Sequence, residues 1–261
     1  MRKAWLLGIL LAVFPVIVQA QNILSVSAKD KSLSAKGIVA YGGPVVQTDL
    51  SFNLSSILSA LPKCLSGDVR WSKSADSRNF SDGFGNEIDL TADCAGKMGD
   101  FDADAGLAIF HLAPLFDKKE KVGDILQPFL NISRDFHLLE HHTIAPYVRA
   151  EVVLTVGWSH AKSGALLYAG ISHQWDLHER ITLNHRAAFV YDTGALVNFD
   201  YGLMVRYDAS IGWNITRAIR LDLPVIRLMS PITIHDRRQT EYTIGAGVTL
   251  RSQVSSDQKN L

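Results

Sequence analysis

Hydrophobic and polar residues alternate along the stretch from Val197 to Trp213. Its odd positions carry Val, Phe, Tyr, Leu, Val, Tyr, Ala, Ile and Trp, whereas its even positions are mostly polar. Because successive side chains of a β-strand point to opposite faces of a sheet, this pattern predicts a strand with one apolar face. Its 17 residues exceed the roughly 9–11 that a tilted strand needs to cross a bilayer. The stretch fits either a soluble sandwich or an outer-membrane barrel.

The same alternation recurs along most of the chain. It predicts eleven strands, near 46–54, 65–74, 88–94, 101–109, 126–132, 147–158, 165–175, 181–191, 197–213, 219–225 and 242–250. A weaker pattern at 23–35 would supply a twelfth, and twelve is the even number expected of a bacterial barrel. Eight or ten strands are the alternatives. The segment 136–142 is predicted to be a turn, and Ile219, Leu221, Leu223 and Val225 are predicted to share one apolar face.

A repeat with a spacing of 38–39 residues favours the barrel. The segments that begin at Ser133, Ser172 and Ser210 each end in an aromatic residue three positions later. Short turns are predicted at 176–179 and 214–217, and longer polar loops at 159–164, 193–198 and 231–240. Short turns at one rim and long loops at the other are typical of outer-membrane barrels.

Aromatic residues border the apolar faces at both ends. Those near the short turns are Phe136, Trp175 and Trp213, and those near the long loops are Trp158, Tyr191 and Tyr201. Two aromatic bands around an apolar belt match the two membrane–water interfaces. The predicted fold class is therefore all-β, a single antiparallel transmembrane β-barrel of about 12 strands.

The beginning of the chain has the pattern of a secretory signal. Arg2 and Lys3 precede an apolar run, and Val18-Gln19-Ala20 predicts cleavage after Ala20. The expected organisation is a signal peptide at 1–20, a barrel at 21–251 and a polar periplasmic tail at 252–261. The expected location is the bacterial outer membrane, with outer-membrane lipid and the barrel-assembly machinery as partners.

Charge and composition exclude some functions. Removing Arg2 and Lys3 from 26 basic residues leaves 24 against 26 acidic ones, a net charge near −2. That balance gives no electrostatic reason to expect nucleic acid. No cofactor is expected. The two cysteines, Cys64 and Cys94, would lie at the same barrel rim in an oxidising compartment, so a disulfide between them is predicted.

Charged residues of both signs fall on the polar faces of the strands. The predicted lumen residues are Asp49, Asp89, Asp93, Asp102, Asp104, Arg149, Glu151, Arg186, Asp200, Arg206, Asp208, Arg220, Asp222 and Glu241. One interpretation is a charged pore lining that selects permeants. The other is a network of salt bridges that fills the lumen.

Histidines raise two further hypotheses. His141 and His142, near His137 and Glu140, are better explained by a solvated turn than by a metal site, since no ligand spacing is completed. His185 is predicted to point outward among apolar residues. Outer-membrane phospholipase A barrels carry an outward His followed two residues later by Ser, but the corresponding residue here is Ala187. We therefore expect no enzyme activity.

Three segments resemble the TorF family of outer-membrane porins. They are Pro44-Val-Val-Gln47, Asn86–Asp93 with Glu87-Ile-Asp-Leu90, and Phe101–Phe110. The resemblance covers about a third of the chain, and the family's Ser-Asp-Tyr-x-x-Arg-Gly segment has no counterpart. It implies an outer-membrane barrel.

The function expected from these patterns is a porin-like channel for passive diffusion of small polar solutes. A structural or adhesive barrel with an occluded lumen is the main alternative. A membrane-surface lipid hydrolase is a third hypothesis, which the absent Ser near His185 disfavours.

Overall fold

The structure, a computed structural model, describes residues 23–30, 32–33, 39–41, 44–58, 60–74, 87–111, 124–156, 162–195, 202–232 and 239–251. The predicted signal peptide and tail lie outside these residues, as do Trp158, Asp200 and Tyr201. The described part of the chain contains no helix long and apolar enough to cross a membrane.

Within the described residues, the chain is almost entirely β-strand. The strands are β1 (Ile23–Lys29), β2 (Ser32–Leu33), β3 (Val39–Tyr41), β4 (Val45–Asn53), β5 (Leu65–Ser74), β6 (Glu87–Met98), β7 (Phe101–His111), β8 (Asp124–Ser133), β9 (Phe136–Leu139), β10 (His142–Val156), β11 (Gly164–His178), β12 (Ile181–Asp192), β13 (Gly202–Asn214), β14 (Ile219–Pro231) and β15 (Glu241–Arg251). One helical turn, α1 (Leu54–Ile57), follows β4.

Twelve of these strands close into a ring. β1 pairs with both β4 and β15, and the ring continues through β5, β6, β7, β8, β10, β11, β12, β13 and β14 back to β15, all antiparallel. β2 and β3 form a separate hairpin. Because each ring strand has neighbours on both sides, no ring strand is left as a free edge. The predicted single antiparallel barrel of about 12 strands is confirmed.

The predicted turn at 136–142 is wrong. Phe136–Leu139 forms β9, which pairs with the first residues of β10 at the short-turn rim, and the turn itself is confined to residues 140–141. The Phe-His-Leu-Leu sequence of β9 suits a strand better than a turn, because it lacks the Gly, Pro, Asn and Asp residues that turns favour.

The outward face of the ring is apolar and exposed, whereas the inward face is polar and largely covered. In β12, for example, Ala187, Phe189 and Tyr191 are exposed, and the alternating Ala188 and Val190 are buried. A closed sheet with exposed apolar residues around its outside is the structure that a lipid environment requires.

A bulge in β14 exchanges its two faces. The pairing of β14 with both neighbours shifts register between Asp222 and Val225, so Leu223 and Pro224 form the irregularity. An inserted residue reverses the inward–outward alternation beyond it. Val225 therefore pairs with the inward Ser210 and faces the lumen, and its predicted place on the apolar outward face is wrong.

Candidate functional site in the barrel lumen

The structure places the described members of the predicted lumen set on inward-facing positions. Along each strand they alternate with exposed apolar residues. Two of them, Asp89 in β6 and Glu151 in β10, are themselves buried. Asp200 lies outside the described residues.

The charges are distributed unevenly around the ring. β5, β6 and β7 lie opposite β12, β13 and β14, because the two groups are six strands apart in a ring of twelve. Described inward residues of the first group are Asp68, Glu87, Asp89, Asp93, Asp102 and Asp104 against Arg70 and Lys97. Those of the second group are Arg186, Arg206, Arg220 and Arg227 against Asp192, Asp208 and Asp222. One wall is thus acidic and the opposite wall mildly basic.

Asp208 is shared by two arginines on the basic wall. Its carboxylate lies 2.7 Å from Nε of Arg206 and 2.6 Å from Nε of Arg227. Arg220 pairs with Asp222 at 2.9 Å. Charge-assisted bonds of this length fix the side chains in place, but one carboxylate cannot neutralise two guanidinium groups. The pairing leaves a surplus positive charge beside Asp208.

Glu151 is the centre of a buried polar network. Its carboxylate accepts hydrogen bonds from Arg149 Nε at 2.6 Å, Gln127 Nε2 at 2.6 Å and the Tyr168 hydroxyl at 3.0 Å. The Arg149 guanidinium also lies over the Phe129 ring, 4.4 Å from its centroid. Three strand residues therefore depend on one carboxylate.

The acidic wall is less fully paired. Asp93 accepts a hydrogen bond from Ser66 Oγ at 2.8 Å, and Arg70 pairs with Asp49 of the neighbouring β4. Oδ1 atoms of Asp89 and Asp104 are covered and lack a hydrogen-bond partner among the described residues. Lys97 and Asp102 pair at 2.6 Å near the short turns.

A cavity of about 470 Å³ opens in the lumen beside the basic wall. The charged and polar residues of its inward lining are Lys29, Asp135, Thr143, Ser172, Gln174, Asn184, Arg186, Asp208, Ser210, Arg227 and Thr243. A volume of this size holds a small solute, and the lining offers hydrogen bonds to a polar one.

Two glycines make room for the large side chains around this cavity. A Cβ at Gly245 would meet Cγ of Lys29 at 2.8 Å, and one at Gly170 would meet the Tyr147 ring at 2.8 Å. Lys29 therefore packs beside Gly245 of β15, and its Nζ donates to Oε1 of Gln47 on β4 at 2.5 Å. The Arg186 guanidinium lies 4.1 Å from the centroid of the Tyr147 ring.

Apolar side chains fill part of the lumen towards the long-loop end. The cluster comprises Phe110, Ile125, Tyr147, Val153, Leu166, Tyr168, Ala188, Val190, Ala195, Met204 and Met229. Leu166, Met204 and Met229 are each 1% exposed. The alternation of polar and apolar residues did not predict this cluster, although a signal existed, because residues 165–169 are apolar or aromatic at both odd and even positions. We call this set the lumen cluster.

The aromatic residues predicted for the two bands lie outside the barrel where they are described. Phe136, Trp175, Tyr191 and Trp213 are all exposed, while Trp158 and Tyr201 lie outside the described residues. Among the described residues, no group of three His, Cys, Asp or Glu could hold a metal ion.

Cys64 and Cys94 form a disulfide with Cα atoms 4.7 Å apart, and it connects the residue before β5 to the neighbouring β6. We predict that neither thiol of the native protein is alkylated without a reductant. After reduction and unfolding, mass spectrometry should record two alkyl groups. Alkylation of both cysteines in the unreduced protein would contradict the prediction.

The sequence matches no protein-family model and no curated protein. Among solved structures, the chain is similar to the NanC porin, with 10% identity and a TM-score of 0.52 over 87% of this chain and 98% of that one. It is also similar to the COG4313 outer membrane channel from Pseudomonas putida F1, with 9% identity and a TM-score of 0.51 over 89% and 95% of the two chains. At such low identity the likeness shows the fold, a porin-like outer-membrane β-barrel.

Proposed function

We propose that the protein is a porin-like outer-membrane channel through which small polar solutes diffuse passively. The observation that carries the proposal is the closed ring of twelve strands, apolar outside and lined inside by charged and polar residues around a cavity of about 470 Å³. Such a lining replaces part of the hydration of a polar solute and lowers the barrier to its passage.

The lumen cluster favours a second candidate, a structural or adhesive barrel with an occluded lumen. Its most buried members, Leu166, Met204 and Met229, leave little space near the long-loop end. A hydrophobic constriction of this kind either blocks a pore or controls it by dewetting. The two candidates differ in whether the barrel carries current.

Conductance of the purified barrel in planar bilayers tests the proposal. We expect discrete current steps in concentrated KCl, with detergent alone as the control. The absence of current steps in every salt and at every voltage would exclude the channel and leave the occluded barrel as the candidate.

Ion selectivity should depend on the two charged walls in opposite directions. Replacing Arg206 and Arg227 together with Gln should raise the cation preference, because it leaves Asp208 unpaired. Replacing Asp93 and Asp104 with Asn should raise the anion preference. Reversal potentials in a salt gradient should shift with opposite signs, each permeability ratio changing about twofold or more. Shifts of the same sign would show that the permeant does not pass between these walls.

Several finer assignments belong to the same proposal. These are export by a signal cleaved after Ala20, insertion by the barrel-assembly machinery, short turns in the periplasm, and membership of the TorF family. The measured mass of the mature chain tests the cleavage site, since it should begin at Gln21. Heat-modifiable gel migration after membrane fractionation tests insertion.

A further inference from the structure

The outer wall of the barrel carries a continuous row of polar rings. His142, His173, His185 and Tyr207 lie on β10, β11, β12 and β13, which are adjacent strands. Each is half-buried and lies on the same outward face of its strand as exposed apolar residues; His173, for example, is two positions from the exposed Ile171 in β11. We call these four residues the histidine seam.

The members of the seam contact one another in sequence. Nδ1 of His142 lies 3.1 Å from Nε2 of His173, and the two rings are stacked. The His173 and His185 rings are stacked with centroids 5.8 Å apart. Nδ1 of His185 lies 2.6 Å from the Tyr207 hydroxyl. The outward histidine that the sequence singled out is therefore one part of a larger arrangement.

These contacts use only half of the hydrogen-bonding capacity of the imidazoles. A neutral imidazole has one N–H donor and one acceptor nitrogen. Whichever of His142 and His173 donates in their mutual bond, the pair keeps one free N–H. Likewise, whichever of His185 and Tyr207 donates, one further N–H or O–H remains free. No described residue accepts from these two donors.

The location of the seam decides what can accept these hydrogen bonds. His142 is the first residue of β10 at the short-turn rim, and its ring stacks on Trp175 with centroids 5.0 Å apart. An exposed tryptophan at the end of a membrane strand marks the level of the lipid headgroups. Unpaired donors on a lipid-facing wall are costly, so an acceptor from the headgroup layer would stabilise the end of the seam that lies at His142 and Trp175.

We propose that the histidine seam binds the phosphate diester of a phospholipid headgroup. The two non-bridging phosphate oxygens match the two free donors in number, and their charge strengthens the hydrogen bonds. The stacked rings hold the donors in a fixed row, and Trp175 packs beside them. This site lies outside the lumen and does not depend on the proposed channel function.

Native mass spectrometry of the delipidated barrel in maltoside detergent tests the proposal. The probe is dioleoylphosphatidylglycerol, and dioleoylglycerol is the matched lipid without phosphate. We expect the folded protein to retain the phospholipid about tenfold more strongly. His173→Leu and His185→Leu should each remove most of this difference. His178→Leu, which removes an imidazole of β11 outside the seam, should leave it unchanged, and heat-modifiable migration verifies that each variant is folded.

Four results would overturn the proposal. Equal retention of the two lipids by the native protein would show that phosphate is not recognised. An unchanged preference in both seam variants would place the phosphate elsewhere. Displacement of the phospholipid by millimolar inorganic phosphate would assign the seam to the free ion. A dimer that His173→Leu dissociates would show that a second copy of the chain covers the seam.

Discussion

Replacing Glu151 with leucine should lower the free energy of unfolding of the barrel by about 3–5 kcal/mol. Glu151 is 6% exposed, and its carboxylate accepts hydrogen bonds from Arg149, Gln127 and Tyr168. Its removal leaves a partly buried guanidinium without its counter-ion and two further donors without their acceptor. Urea unfolding in lipid vesicles, followed by tryptophan fluorescence and gel mobility, measures the change.

Three further variants show whether the loss comes from the network. Glu151→Gln keeps an acceptor oxygen and should cost less than Glu151→Leu. The double variant Arg149→Leu/Glu151→Leu should recover part of the loss, because no uncompensated charge remains. Asp135→Asn, at an exposed position that also lines the cavity, should change stability by less than about 0.5 kcal/mol. A Glu151→Leu barrel as stable as that control would show that the network contributes nothing.

Alternation along the sequence was sufficient to predict most of the fold. A strand in a closed membrane barrel has lipid on one side and the lumen on the other, so the polarity of a residue indicates which side it faces. For this reason the inward direction of Asp208 and the outward direction of Phe189 and Trp213 could be predicted before any strand pairing was known. The register between strands could not be read, because alternation does not say which residues are neighbours.

The predicted lumen set missed residues where the backbone departs from regular alternation and where the alternation in the sequence is weak. Arg227, the second partner of Asp208, was missing from the predicted lumen set because the predicted strand ended at Val225. The bulge at Leu223 and Pro224 also reverses the faces of β14, so continued alternation would have placed Arg227 outside the barrel. Lys29 was missing because β1 is weakly patterned. In both cases the charge of the residue was visible in the sequence, but the alternation did not show that its side chain faces the lumen.

The histidine seam and the lumen cluster required pairing information. His142 and His185 are 43 positions apart in the sequence, and they come together only because β10, β11 and β12 pair in one register. The lumen cluster likewise combines residues of β7, β8, β10, β11, β12, β13 and β14 with Ala195. Apart from those at 165–169, each of these residues looks in the sequence like an ordinary apolar position.

Replacing Leu166 and Met204 together with serine should increase single-channel conductance several-fold. Both side chains are 1% exposed inside the barrel, where a dry apolar constriction raises the barrier for hydrated ions by excluding water. Serine is smaller and binds water, so the pathway should widen and stay wet. The measurement is the current step in planar bilayers at fixed voltage and salt.

Stability has to be separated from permeation in this variant. Each large-to-small change inside a packed cluster costs about 2–5 kcal/mol, so heat-modifiable migration must first show that the variant is folded. Ser210→Ala, on the polar cavity wall, is the matched control and should leave conductance nearly unchanged. Equal conductance of the native and double-serine barrels would place the permeation path away from the lumen cluster. A silent native barrel with a conducting double-serine variant would instead show that Leu166 and Met204 close an otherwise complete pore.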